Sequence, residues 1–99
     1  MRFVAISHRK DVYDPDRFAA LAAAEARVVW ALYTEGAVSG FHFDAERPDP
    51  RGILFVEAAT RDAAAAILAR LPLVAGGLIG FDLHALSPYE GLERAFDHN

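Results

Sequence analysis

The chain has 99 residues, 54% of them hydrophobic and 24% charged, with 10 Lys and Arg against 14 Asp and Glu for a formal net charge of −4. One core fits that length and two domains do not, while the absence of cysteine excludes disulfides, thiolate metal sites and a cysteine nucleophile. The acidic balance argues against nucleic acid as a partner, and no apolar stretch approaches the roughly 20 residues that span a bilayer. Arg2 precedes an alternating run and no apolar leader, so the expectation is a cytoplasmic protein without a membrane partner.

Arg2 to His8 is rich in β-branched and aromatic residues and ends in a charged turn, which reads as a first strand. Asp14-Pro15 then supplies an N-cap and a proline at the first helical position. The long helix that follows is predicted to end at Gly36, with Phe18, Leu21, Ala22, Val28, Val29, Leu32 and Tyr33 in one apolar stripe. Ala37 to Asp44 reads as a second strand, Ala45 to Arg51 as a loop and Gly52 to Ala59 as a third strand, paired antiparallel with the second. Thr60 caps a second helix whose inward stripe is Ala64, Ile67, Leu68 and Leu71, and which Pro72 and Gly76-Gly77 are expected to end. Leu78 to Leu86 reads as the last strand. Tyr89 to Asn99 is a tail with Leu92 and Phe96 as its anchors.

The order βαββαβ defines a single α+β domain of ferredoxin-like type, with both helices on one face of an antiparallel sheet. Its core is expected over about residues 2–88. On the third strand Ile53, Phe55 and Glu57 point to one side and Leu54, Val56 and Ala58 to the other, so both faces carry large apolar groups. A face that the helices leave bare needs a cover. A second copy of the chain packed sheet to sheet is the economical one, so a homodimer or higher homo-oligomer is expected, with a ligand cleft as a compatible alternative.

Among residues that can carry chemistry, Glu25 stands out because it falls between Leu21, Ala22, Val28, Val29 and Leu32, in the middle of the apolar stripe. Desolvation there raises a carboxyl pKa towards neutrality, which suits a general base or proton shuttle. The competing reading is a helix rotated so that Glu25 meets Arg27, another arginine or solvent. Glu57, near the end of the third strand, is either a second site carboxylate or the partner of Arg2 or His8. His8, His42 and His84 lie on three strands without metal-ligand spacing, so no metal is expected, and His42 and His84 are retained as proton-exchanging candidates. Trp30, Tyr33, Phe41, Phe43, Phe55 and Tyr89 are the aromatic candidates for a substrate wall. Gly76-Gly77 and Gly80 make no phosphate loop, and Ser7, Ser39 and Ser87 lack a nucleophile elbow. No cofactor is implied.

The stretch Phe55-Val56-Glu57-Ala58-Ala59, the helix ending in Leu71-Pro72-Leu73, the strand Gly77-Leu78-Ile79-Gly80-Phe81-Asp82-Leu83 and the closing Ser87-Pro88 resemble the muconolactone isomerase-like family. Glu25 and Tyr33-Thr34-Glu35-Gly36 extend the resemblance over most of the chain. It implies a dimeric α+β barrel and a cofactor-free proton transfer that moves a double bond in a lactone, with Glu25 and Glu57 at the family's acidic positions on the first helix and third strand. Val4 and Ile6, and the longer hairpin from Glu46 to Arg51, depart from that pattern and put the lactone itself in question. The related YCII proteins share the architecture but carry a His–Asp pair where this chain has Glu25 and Thr34, and cofactor-free monooxygenases share the fold alone. The expected function is therefore a cofactor-independent isomerase acting on a small carbonyl- or carboxyl-bearing molecule. The alternatives are a non-catalytic ligand-binding or oligomerisation module, or a YCII-like or monooxygenase-like enzyme.

Overall fold

Alternating side chains from Arg2 to Arg9 form the first strand, β1, and the chain continues through α1 (Pro15–Thr34), β2 (Val38–Phe43), β3 (Gly52–Glu57), α2 (Arg61–Leu68), α3 (Pro72–Ala75), β4 (Ile79–Leu86) and a 3-10 turn (Leu92–Phe96). The computed structural model describes residues 1–11, 13–49 and 51–96. The last three residues of the expected tail, Asp97 to Asn99, lie outside them.

Local chemistry sets the helix ends. The Asp14 carboxylate accepts from the N–H groups of Asp16 at 3.0 Å and Arg17 at 3.2 Å, and Pro15 needs no such partner. At the far end Gly36 takes a φ of +82°, a left-handed conformation open to glycine, so that its own N–H reaches the carbonyl of Tyr33 and that of Ala37 reaches Leu32. Thr60 Oγ1 accepts from Ala63 N–H at 3.1 Å and starts α2.

One boundary differs from expectation. Instead of ending the second helix, Pro72 begins α3, because the fixed φ and missing N–H that break a helix interior cost nothing in its first turn. Gly77, at φ +74°, then closes α3 with the Leu78 N–H on the carbonyl of Leu73.

The four strands form one antiparallel sheet in the order β2-β3-β1-β4. In its register Phe3 faces Val56 and Ala85, and Ala5 faces Leu54 and Leu83, so these side chains share the face covered by the helices. Phe3, Ala5, Leu54 and Val56 are buried there against Leu32, Val38, Ala64, Leu68 and Leu71. A smaller cluster of Leu73, Leu78 and Ile79 lies beside it, joined through Val74 and Phe81. Fully burying each large apolar side chain contributes about 1.5–3 kcal/mol before chain entropy is subtracted. The opposite face carries Arg2, Val4, Ile6 and His8 of β1 beside Ile53, Phe55 and Glu57 of β3, and among the described residues no helix covers it.

Candidate functional site

Between the two apolar clusters the helix layer and the sheet stand apart around a cavity of about 660 Å³, within the range of small-molecule sites. Its size follows from short side chains on both walls: Ala22 and Ala26 on α1, Ser7 on β1 and Gly52 at the start of β3. Ser7 continues the inward row of Phe3 and Ala5, and its hydroxyl accepts from the Gly52 N–H at 2.7 Å where the ladder ends. Phe18, Phe81, Leu54 and Leu73 make the walls apolar, while Trp30, Phe41 and Phe43 stand on the rim.

Glu25 reaches this cavity from α1. Its Oε1 accepts from the Leu73 N–H at 3.0 Å, which supplies the first turn of α3 with the partner that Leu71 cannot provide. Among the described residues the Glu25 carboxyl has no ion pair, and Arg27 does not reach it. Burial pushes its pKa above the ordinary carboxylate range, and the single backbone hydrogen bond pulls back only part of the way. The second acidic residue on the lining, Asp49, lies 3.6 Å from Arg47. Two cations border the opening. Arg9 lies with its guanidinium 4.1 Å from the centroid of the Tyr13 ring, and Arg51 forms no side-chain hydrogen bond or ion pair among the described residues.

The remaining candidates divide between the two faces. Glu57 belongs to the open face, where its Oε1 accepts from Arg2 Nε at 2.6 Å and from the Ser39 hydroxyl at 2.8 Å. These contacts hold its carboxyl below the usual range, so it serves as an ion-pair partner remote from the cavity. His84 pairs with Val4 on the same open face, away from Glu25. His42 meets the rim between Phe41 and Phe43, but it stands opposite Ile53 and its ring is 6.4 Å from and edge-on to Phe55, so the imidazole lies on the open face. Phe55 itself points to the open face, because it stands opposite Val4, and so is no part of the cavity wall. Tyr33 packs between Trp30 and Phe41, at 5.7 and 6.0 Å, and supports the rim from outside. Tyr89 is 78% exposed on the tail and lines nothing near Glu25. Of the four acid–base candidates, then, the structure brings only Glu25 into the cavity, and turns the side chains of Glu57, His84 and His42 to the open face.

Ser7, Arg9 and Arg51 were not expected at the site. A small polar residue ending an inward apolar row was the available signal for Ser7, whereas the arginines meet the opening only through tertiary packing. His8, a candidate metal ligand or partner of Glu57, has its side chain on the open face with Nδ1 3.3 Å from Asp82 Oδ2, and it touches the cavity only at the strand end. A β-carbon at Gly80 would come within 2.8 Å of its Nε2, so glycine there leaves room for the ring.

No protein-family model matches the chain, and no curated protein matches it significantly.

Proposed function

We propose that the protein is a cofactor-independent isomerase of muconolactone isomerase-like chemistry, acting on a small molecule with an apolar body and a carbonyl or carboxylate group. The observation that carries this reading is Glu25: an unpaired carboxyl with a raised pKa on the wall of an otherwise apolar cavity. The Leu73 N–H fixes one oxygen of the group. The carboxylate then takes a proton from a carbon next to the substrate carbonyl, giving a delocalised enolate. The Glu25 carboxyl exchanges its proton with solvent and returns a proton either to the same carbon or to the far carbon of the conjugated system; the latter moves the double bond, and both restore Glu25 and consume no oxidant or reductant. Apolar walls strengthen these electrostatic interactions by excluding water, and Arg9 and Arg51 suit an anionic group at the opening.

Solvent exchange tests it. In D2O the protein should catalyse deuterium incorporation beside the carbonyl of unsaturated lactones or β,γ-unsaturated acids, followed by proton NMR, and Glu25→Gln should slow this by about 10²–10⁴-fold. Equal exchange by the parent and the variant, with the compound demonstrably bound, overturns the reading.

The hydrogen bond from Leu73 favours one other function for the same residue. Glu25 ties α1 to α3, and in a ligand-binding module without chemistry that tie would be its whole role. Binding without exchange is the outcome that selects this second reading.

A further inference from the structure

The cavity extends across the whole sheet. Its floor takes Phe81 from β4, Ser7 from β1, Leu54 from β3 and Phe41 from β2, so every strand contributes to it. At about 4.8 Å between neighbouring strands, that floor is roughly 14 Å across. Its roof follows α1 from Phe18 to Trp30, which at about 1.5 Å per residue is roughly 18 Å, and Glu25 lies near the middle. A single-ring lactone with a short acidic arm reaches about half that far. It would leave most of the 660 Å³, between apolar walls, to water.

One end of this trough is aromatic. Trp30 comes from the helix and Phe41 and Phe43 from the edge strand, 61%, 45% and 73% exposed. The Tyr33 ring packs on Trp30 at 5.7 Å and on Phe41 at 6.0 Å, which braces both rings from outside and leaves them largely uncovered. Large aromatic surface held rigid and bare in this way is a stacking platform.

The strand ends supply positive charge. Arg9 terminates the inward row of Phe3, Ala5 and Ser7, opposite Ile79, and its guanidinium lies 4.1 Å from the centroid of Tyr13. That ring packs in turn on Phe18 of the cavity wall, at 5.8 Å, so the stack fixes the cation at the cavity edge without neutralising it. Among the described residues neither Arg9 nor Arg51 has an ion pair, and the acidic Asp49 beside them lies 3.6 Å from Arg47.

We infer that the cavity takes an elongated organic anion with a flat body of several fused aromatic rings, which lies across the strands with its rings against Trp30, Phe41 and Phe43 and its acidic group on Arg9 and Arg51. Length follows from the span of the floor and roof. Two guanidiniums without a carboxylate partner call for an anion, and they keep its charge at the cavity edge, away from Glu25. A rigid fused-ring body suits the braced aromatics better than a flexible acyl chain, because it loses no internal rotations when it is ordered. This inference rests on the cavity being the functional site, as proposed above, and not on proton transfer at Glu25.

Binding of anthracenecarboxylate to the full chain, by equilibrium dialysis and by quenching of Trp30, the single tryptophan, tests it beside benzoate, dodecanoate and anthracenemethanol. The expected result is one molecule per chain with a micromolar dissociation constant, at least about tenfold tighter than for any of the other three. Arg9→Gln/Arg51→Gln should weaken the fused-ring acid by about tenfold and leave the alcohol unchanged, whereas Phe41→Ser/Phe43→Ser should weaken both. These four side chains are exposed, so circular dichroism should show the parent's fold, and the ligand series on the parent needs no variant. Benzoate or dodecanoate bound as tightly overturns the proposal, as does an alcohol that matches the acid or variants that bind like the parent. Exchange in single-ring lactones without preference for the fused-ring anion overturns this inference alone. Fused-ring binding without exchange overturns only the isomerase reading.

Discussion

The two ends of the layer between helices and sheet use the same kinds of element and reach opposite results. Near Arg2, Phe3 and Val56 meet Leu32, Val38 and Leu68, and the large side chains interdigitate until little of any is exposed. Near Arg9, Ser7 and Gly52 face Ala22 and Ala26, and the same layer spacing leaves a hollow. What differs is side-chain volume at four positions. Backbone geometry sets the distance between layers, and volume decides whether that distance is filled or becomes a site.

The largest expected effect breaks the filled end. Leu68→Ala removes a buried side chain from the main core and should cost about 2–5 kcal/mol, measured by urea denaturation, because neighbours from three elements collapse only partly into the gap. An unchanged midpoint would mean that this end is no better packed than the other.

Filling the hollow end is the converse experiment. Ala26→Leu adds volume on the cavity wall, and should raise stability by about 0.5–2 kcal/mol while abolishing binding of an apolar anion such as anilinonaphthalene sulfonate. Lost stability with retained binding would show that Ala26 faces packed atoms.

Glu25→Gln sharpens the contrast through pH. With its folded pKa raised above the ordinary 4.5, Glu25 binds more protons in the native state than in the unfolded chain. Its contribution to stability is therefore complete below 4.5 and declines as pH rises through the folded value. The glutamine carbonyl can still accept from Leu73 while the titration is gone, so the variant should lose that decline and be no less stable than the parent at neutral pH. Denaturation midpoints across the acid range, or a Glu25 carbon NMR titration with a midpoint at or below 4.5, decide it.

The smallest effect is expected on the open face. Glu57→Gln breaks an exposed pair with Arg2 and should leave ligand binding and exchange activity unchanged. A loss of activity comparable to that of Glu25→Gln would return Glu57 to the site.

Read from sequence, the fold was largely legible. Asp14-Pro15, Gly36 and Thr60 fix helix ends through contacts within a few residues, and the alternation from Arg2 and from Gly52 marks strands, so the βαββαβ order and the antiparallel sheet needed no distant information. Glu25 was legible for the same reason, since a carboxyl inside a 3.6-residue apolar stripe faces the interior wherever that helix packs. The faces of the other candidates were not. Alternation assigns Phe55 and Glu57 to one side and Leu54 to the other, but only the strand pairing and the placement of α1 decided that the cavity lies on the Leu54 side, which removed Glu57, His84, Phe55 and the His42 ring from it. Alone, Pro72 was ambiguous, as it ends one helix or begins another according to where the chain must turn. The tail shows the same limit: its apolar spacing announced anchors, and whether a surface of the same chain lay within reach was a question of three-dimensional distance. Short-range hydrogen bonding and periodicity are properties of neighbours in sequence, whereas a cavity, a shared face or the exposure of Leu92 and Phe96 at 59% and 73% depends on which segments packing brings together or keeps apart.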